Sequence, residues 1–267
     1  MKAQVNEIAL AYSDEGSGLP LVFLHAFPLN RRMWTAQAEV LSSQFRVITI
    51  DLRGHGESDA PLWHYQLDQA ADDVRALLDH LSIQQAVLVG LSMGGYILFA
   101  FYRKYAARVK GLVLADTRAQ ADTPEGQQSR FQMAQVAYAK GSRAIADLMM
   151  PKLLSPETIR ARPELVANVR AMIEDTPMSG IVCDLMAMAE RLDAVPLLPQ
   201  ITCPTQVIVG ELDMTTPLAD AKVMAQSIPG ARLAIIPGAA HLANLEQPEI
   251  FTGIVRTFVS DLAEHWR

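Results

Sequence analysis

Short apolar runs bounded by turn residues recur along the chain, and they predict β-strands. The runs show no polar alternation, which is typical of strands buried on both faces of a sheet. They lie at residues 21–24, 47–50, 87–89, 112–114, 207–209 and 233–236. Ile8, Leu10 and Tyr12 alternate with their neighbours ahead of the turn sequence DEGSG, and this pattern predicts an antiparallel strand added at the edge of the sheet.

Stretches with helical spacing separate the apolar runs. One has apolar residues at positions 67, 70, 74, 77, 78 and 81, and another continues from Pro248 through Ile254 and Phe258. Because helices between strands connect parallel neighbours, we expect an α/β protein with a mostly parallel central sheet flanked by helices.

Residues 117–201 interrupt this alternation, since they contain no convincing strand and are too numerous for an unstructured loop. Helical spacing broken by prolines predicts helices over about 124–140, 142–150, 156–173 and 178–191. We therefore expect an inserted helical cap of residues 117–201 on a core formed by residues 1–116 and 202–267.

Composition narrows the possible partners. The 267 residues are 50% hydrophobic and 19% charged, and a formal net charge of −6 is spread along the chain. With no basic cluster to neutralise phosphates, we expect no nucleic-acid partner. The lack of a long apolar window or a signal-peptide pattern predicts no membrane partner and a cytoplasmic location. Cys183 and Cys203 lack CxxC spacing and are expected to be reduced thiols.

Gly90 to Gly94 read Gly-Leu-Ser-Met-Gly, a G-x-S-x-G pattern placed directly between a predicted strand and an apolar helical stretch. This is the context of a nucleophile elbow, in which a sharp strand-to-helix turn exposes a serine hydroxyl. Side chains two residues to either side of that serine would collide, which explains the glycines. Ser92 is therefore the candidate nucleophile, at a helix N-terminus that favours a developing oxyanion.

A serine hydroxyl needs a base to accept its proton and a carboxylate to orient that base. His241 follows the last predicted strand and reaches the sheet edge where ligands of parallel sheets gather, so it is the candidate base. Asp213 follows the preceding strand and is the candidate acid, giving the chain order Ser, Asp, His. Asp116 also ends a strand and remains an alternative acid.

Five further histidines are weaker candidates for the base. His80 lies in a predicted helix and His265 in the C-terminal tail, and both are expected at the surface. His64 lies in a loop, and His25 and His55 belong to two further motifs.

These segments together resemble the capped α/β-hydrolases, and the likeness covers nearly the whole chain. The chain is similar to small bacterial carboxylesterases and 3-oxoadipate enol-lactone hydrolases. The matching segments are LHAFP at 24–28, DLRGHGES at 51–58, GLSMG at 90–94, GELD at 210–213 with Pro217, and His241 ahead of EQP at 246–248.

The resemblance implies that the backbone amides of Phe27 and Met93 form an oxyanion hole. The chain departs from the family pattern at Ala26, where glycine is usual. The resemblance further implies that His25, Asp51 and Arg53 support neighbouring loops rather than transfer protons.

The implied function is hydrolysis of carboxylic esters through an acyl-enzyme on Ser92. The expected substrates are small molecules, namely short to medium acyl or aryl esters. The protein is expected to be a monomer or a homodimer. The chain shows no metal-ligand cluster, no GxGxxG and no phosphate-binding loop, so no cofactor is expected. Serine rather than aspartate at the elbow argues against haloalkane dehalogenases and epoxide hydrolases.

Three alternatives remain open: an enol-lactone hydrolase or other lactonase, a ligand receptor without turnover, and a perhydrolase. A lactonase for a dicarboxylate needs a cation, for which Arg118 is the candidate. Seven of the twelve methionines lie in residues 117–201, where they could line an adaptable pocket or simply pack the cap on the core.

Overall fold

Apolar runs form the interior of a single sheet in the computed structural model, which describes residues 1–263. The eight strands are arranged in the order β1-β2-β4-β3-β5-β6-β7-β8. In this order, every pair of neighbouring strands from β4 across to β8 is parallel, whereas β2 is antiparallel to both of its neighbours, β1 and β4. The strands are β1 Lys2–Val5, β2 Ile8–Glu15, β3 Pro20–Leu24, β4 Arg46–Ile50, β5 Ala86–Leu91, β6 Val109–Ala115, β7 Thr205–Gly210 and β8 Arg232–Ile236.

Helices flank the sheet, which confirms the predicted α/β fold class. Helix α1 packs against α10, and α2 packs against α3. The core helices are α1 Thr35–Leu41, α2 Leu67–His80, α3 Met93–Tyr105, α8 Leu218–Ser227, α9 Ala243–Glu246 and α10 Pro248–Ala263; those between β6 and β7 are α4 Pro124–Leu153, α5 Pro156–Ala161, α6 Pro163–Glu174 and α7 Met178–Ala189.

Two expectations about the sheet edges are wrong. The strand predicted from Ile8, Leu10 and Tyr12 is antiparallel as expected, but β1 pairs outside it and forms the edge. All residues from 8 to 12 are buried, because the residues between the larger apolar ones are the small Ala9 and Ala11, which are buried too. At the other edge, β8 is partly exposed although its sequence is apolar, since it has a neighbour on one side only.

The helices between β6 and β7 differ in two places from the sequence prediction. Gly141, with a φ of 77° and a ψ of −179°, is non-helical and divides α4 where the sequence predicted a break between 124–140 and 142–150, but the second part extends beyond residue 150, through Pro151 to Leu153. The helix predicted over 156–173 is divided at Arg162, because Pro163 disfavours helical angles in the residue before it. The division into a core and a cap at residues 117–201 stays a prediction.

Neither cysteine forms a disulfide: Cys183 is buried and Cys203 is half-buried, and both are free. Burial raises the pKa of the Cys203 thiol to about 11. Within residues 1–263 no helix combines the length and apolar character that crossing a bilayer requires.

Candidate active site

The turn between β5 and α3 holds Ser92 in a strained backbone conformation, with a φ of 55° and a ψ of −113°. A positive φ at a residue other than glycine costs about 1–3 kcal/mol and persists only where the surroundings enforce it. A Cβ atom on Gly90 would lie 2.6 Å from the carbonyl of Gly94, and one on Gly94 would overlap the carbonyl oxygen of Leu24. The glycines therefore allow α3 to begin directly against β3 and β5.

Three side chains from separate parts of the chain form one hydrogen-bonded row. His241 Nε2 lies 2.9 Å from Ser92 Oγ, and His241 Nδ1 lies 2.8 Å from Asp213 Oδ2. Asp213 can only accept, so a neutral imidazole in this position donates through Nδ1, and its Nε2 accepts a hydrogen bond from the Ser92 hydroxyl. Ser92 is 8% exposed and the other two are 2% exposed, so the row is almost fully shielded from water.

Asp213 is held by donors from its own turn. Its Oδ1 accepts the backbone amides of Thr215 at 2.7 Å and Thr216 at 3.0 Å, and its Oδ2 accepts the Thr216 hydroxyl at 2.6 Å. Burial acts to raise the pKa of Asp213, but the charge of His241 and the hydrogen bonds from His241 and Thr216 outweigh it and lower the pKa. The carboxylate is thus kept ionised and aimed at the imidazole.

Asp116, the alternative acid, has a different environment. It follows β6 directly, is fully buried and has a φ of 41°. Its Oδ1 accepts the backbone amide of Gly210 at 2.7 Å, which ties the end of β7 to the end of β6. Burial, followed by the charge of Asp213, raises the pKa of Asp116 well above its usual value. Asp213, rather than Asp116, is the carboxyl group in contact with His241.

The two amides assigned to the oxyanion hole lie at the N-terminus of α3 and in the loop after β3. Met93 is the first residue of α3, where backbone amides have no intrahelical acceptor. Phe27 belongs to a buried loop in which Ala26 has no positive φ, so the alanine at the usual glycine position fits without backbone strain.

His25 orients the peptide group that contains the Phe27 amide. The His25 ring accepts the Leu52 amide through Nε2 at 3.0 Å, which leaves Nδ1 to donate to the Ala26 carbonyl at 2.9 Å. The same carbonyl accepts the Leu29 amide at 2.8 Å. In a planar trans peptide the N–H points opposite to the C=O, so these bonds fix the direction of the Phe27 N–H.

The segment DLRGHGES is held by a buried ion pair and by hydrogen bonds from backbone amides. Arg53 donates to both carboxylate oxygens of Asp73 in α2, at 2.6 and 2.8 Å. Asp51 accepts the backbone amides of Arg31 and Glu57 at 2.8 and 2.9 Å.

His55 and the helices between β6 and β7 meet through one buried carboxyl group that the sequence did not reveal. Asp184 of α7 accepts the Tyr65 hydroxyl at 2.6 Å and lies 3.5 Å from His55 Nε2. Burial raises the pKa of Asp184. No spacing pattern relates residues 55, 65 and 184, so only the tertiary structure shows this contact.

The remaining histidines lie apart from Ser92. His64 pairs with Glu190 at 2.9 Å, with both side chains half-exposed, and His80 is exposed at the end of α2. His265 lies outside the described residues.

Arg118 supports the turn that carries Asp213. Its guanidinium donates to the Thr215 carbonyl and lies 3.4 Å from the Asp220 carboxylate. The charge of Arg118 is therefore already paired. Within the described part of the chain, no group of three or more His, Cys, Asp or Glu residues is arranged to hold a metal ion.

Residues 20–248 match the family of proteins with the alpha/beta hydrolase fold. The chain belongs to this family. Among solved structures, the thermophilic esterase from Thermogutta terrifontis, with malate bound, is 41% identical, with a TM-score of 0.95 and 98% of each chain covered. The enol-lactonase from Burkholderia xenovorans is 32% identical, with a TM-score of 0.92 over 97% of this chain and all of that enzyme.

The curated relatives include the 3-oxoadipate enol-lactonase 2 of Acinetobacter baylyi. It is 32% identical over 93% of this chain and 92% of its own length. The predicted resemblance to esterases and enol-lactonases is thereby confirmed, and the hydrolase has homologues of both kinds.

Proposed function

We propose that this hydrolase cleaves carboxylic esters with Ser92 as nucleophile, His241 as base and Asp213 as the orienting acid. The observation that carries the proposal is the position of the His241 ring, which bridges Ser92 Oγ and Asp213 Oδ2 at 2.9 and 2.8 Å. Nucleophile, base and orienting carboxylate within hydrogen-bond reach are the arrangement that activates a serine.

The reaction proceeds in two halves. Ser92 Oγ attacks the ester carbonyl carbon while His241 Nε2 takes the hydroxyl proton, and the resulting oxyanion accepts hydrogen bonds from the amides of Phe27 and Met93. Collapse of this intermediate breaks the bond to the alcohol, which leaves with the proton from His241. A water molecule then gives its proton to His241 and attacks the acyl-enzyme, which releases the acid and restores Ser92.

Short to medium acyl or aryl esters are the proposed substrates. A dicarboxylate-derived lactone brings a charged group that needs a cation, and the candidate, Arg118, is already paired with Asp220 and Thr215. Of the seven methionines in residues 117–201, Met150, Met172 and Met188 are 5% exposed or less, which favours packing for these three, whereas Met178 is 43% exposed.

Enol-lactone hydrolysis is the second candidate, favoured by the 32% identity to the enol-lactonases of Acinetobacter baylyi and Burkholderia xenovorans. A lactone is a cyclic ester, so the same attack by Ser92 opens the ring and the leaving alkoxide stays attached to the acid.

We further propose that residues 117–201 form a cap over the site. The Thr176 hydroxyl donates to the Pro28 carbonyl at 2.8 Å, which places the turn between α6 and α7 on the loop that carries the Phe27 amide. Together with the low exposure of Ser92, this contact supports substrate entry beneath the inserted helices.

Steady-state hydrolysis of p-nitrophenyl esters of increasing acyl length tests the proposal. We expect turnover on short chains, and a loss on the order of 10⁴-fold or more in kcat for Ser92→Ala, because the nucleophile is removed. Ser43→Ala, at an exposed serine, is the control and should behave as wild type. A single slow turnover on every ester would instead support a receptor. A kcat/KM for an enol-lactone above that of every ester would select the second candidate.

A further inference from the structure

Glu246 is a buried glutamate whose carboxylate joins two distant backbone amides. Its Oε2 accepts the amide of Ala240 at 2.6 Å, and its Oε1 accepts the amide of Ser155 at 2.8 Å. Ala240 directly precedes His241, whereas Ser155 lies between α4 and α5. Glu246 is 5% exposed, so both hydrogen bonds are shielded from water.

The residue on the other side of His241 is held by the same segment. The Leu242 amide donates to the Leu153 carbonyl at 3.1 Å. Arg162, which lies between α5 and α6, donates to the Leu245 and Glu246 carbonyls at 3.2 and 2.8 Å. Residues immediately before and after His241 are thus fixed to residues 153–155, either directly or through the Glu246 carboxylate.

His241 is the member of the hydrogen-bonded row with the weakest support from its own strand. Ser92 is set by the tight turn between β5 and α3, and three donors hold Asp213. His241 follows β8, a half-exposed edge strand, through a turn in which Gly238 has a φ of 67°. The Gly238 amide donates to Glu211 at 3.0 Å and the Ala239 carbonyl accepts the Leu212 amide at 2.8 Å, so the loop after β7 holds the first residues of this turn. The residues next to His241 are held instead by Glu246 and Leu153.

We propose that Glu246 is a positioning residue for His241, and that residues 153–155 between β6 and β7 are the support against which its carboxylate sets the ring. The inference rests on the proposed function, because it assigns Glu246 to the alignment of the base in that reaction. The inserted helices then do more than cover the site, since one segment of them completes the geometry of the hydrogen-bonded row.

A carboxylate suits this position because it accepts only, and a glutamine in its place has one acceptor and two donors. Glu246→Gln leaves one of the two amides facing an N–H₂ group in a buried site, so the turn that carries His241 has to shift. Misplacing a catalytic group by about 1 Å costs as much as 100-fold in rate.

The first experiment compares Glu246→Gln with Glu249→Gln, an exposed glutamate in the first turn of α10. We expect Glu246→Gln to lower kcat on a p-nitrophenyl ester by about 10- to 100-fold while KM changes less than about threefold, since substrate binding is untouched. The low-field proton NMR signal of the Nδ1–H shared by His241 and Asp213 should shift or broaden. Glu249→Gln should leave both readouts unchanged.

The second experiment removes the hydrogen bond between Ser155 and Glu246 by deleting its donor, the Ser155 amide. Ser155 has a φ of −64° and a ψ of 151°, and Leu154 has a φ of −121° and a ψ of 148°, so the backbone accepts proline at 155. Ser155→Pro deletes the amide that Glu246 accepts. Ser155→Ala keeps that amide and loses only the side-chain cap of α5, so it is the matched control. We expect kcat for the proline variant to be about tenfold below that of the alanine variant.

The outcomes separate the two proposals. A folded Glu246→Gln variant with wild-type kcat and an unchanged Nδ1–H signal overturns the positioning role. If Glu246→Gln does not fold, equal kcat and equal NMR spectra for the two Ser155 variants overturn it. If the wild type hydrolyses no ester or lactone, the proposed function fails, whereas the NMR comparison of the variants still decides whether Glu246 positions His241.

Discussion

The loops after β6 and β7 each place an aspartate at the same edge of the sheet, yet the pKa values of the two carboxyl groups are shifted in opposite directions. Asp213 accepts the Thr215 and Thr216 donors, contacts His241, and has a lowered pKa. Asp116 accepts the Gly210 amide, and its pKa is raised. Both are buried, so burial alone does not decide the charge of a carboxyl group here. The imidazole and the hydrogen-bond donors lower the pKa of Asp213, whereas the charge of Asp213 adds to burial in raising the pKa of Asp116.

The two loops also differ in backbone path. Asp116 follows the last residue of β6 without a turn and has a φ of 41°. Asp213 follows a short turn after β7, and this turn brings the amides of Thr215 and Thr216 back onto its carboxylate. Asp116 thus joins two strand ends, while Asp213 presents an ionised group to the site.

Asp213→Asn gives the largest expected loss of kcat, because it replaces the carboxylate that contacts His241, which the loop after β6 does not provide. An amide in place of the carboxylate no longer fixes the His241 tautomer or stabilises the imidazolium, so kcat on a p-nitrophenyl ester should fall by about 10⁴-fold. Circular dichroism should show an intact fold. A rate near that of wild type would transfer the role of acid to Asp116.

Thr216→Val should have an intermediate effect. The variant keeps the shape of the side chain and both backbone amides but deletes the hydroxyl that donates to Asp213 Oδ2 at 2.6 Å. A hydrogen bond to a charged group contributes about 1.5–3 kcal/mol, so kcat should fall by about 10- to 150-fold. Thr215→Val is the matched control, because the Thr215 hydroxyl donates to the backbone carbonyl of Lys152 and not to Asp213. Equal rates for the two variants would show that the backbone amides alone orient Asp213.

The sequence predicts most of this site because its members lie at strand ends. The G-x-S-x-G pattern identifies Ser92, and His241 and Asp213 each follow an apolar run. The choice between Asp116 and Asp213 is harder, since both end a strand, and it depends on donors such as the Thr216 hydroxyl that no spacing rule assigns. Glu246 begins the segment EQP that follows His241 in the family resemblance, but its hydrogen bond to Ser155 joins residues 91 positions apart.

The interior of the sheet is more predictable than its edges. A buried strand must be apolar on both faces, which gives the continuous runs of β3, β5 and β6. β1 has only four residues with polar ones among them, so no apolar run marks it. β8 has the apolar sequence of an interior strand but lies at an edge. Position in a sheet depends on the pairing of distant segments, which the local pattern does not contain.

Asp116→Asn should have the smallest effect on rate and a measurable effect on stability. Asparagine keeps an acceptor for the Gly210 amide, so kcat should stay within about threefold of wild type. Folding raises the pKa of Asp116, and the stability linked to its bound proton is therefore fully present below the unfolded-state pKa and lost as pH rises through the folded-state pKa. Asparagine does not titrate.

Urea unfolding across a pH series measures this difference between the two proteins. The free energy of unfolding of Asp116→Asn, relative to wild type, should increase with pH through the raised folded-state pKa of Asp116. Asp193→Asn provides the control, because Asp193 is exposed and, like Asp116, accepts a backbone amide, that of Val195 at 3.0 Å. A constant difference between Asp116→Asn and wild type at all pH values would mean that folding leaves the pKa of Asp116 unchanged. The contrast between the two aspartates would then lie in geometry alone.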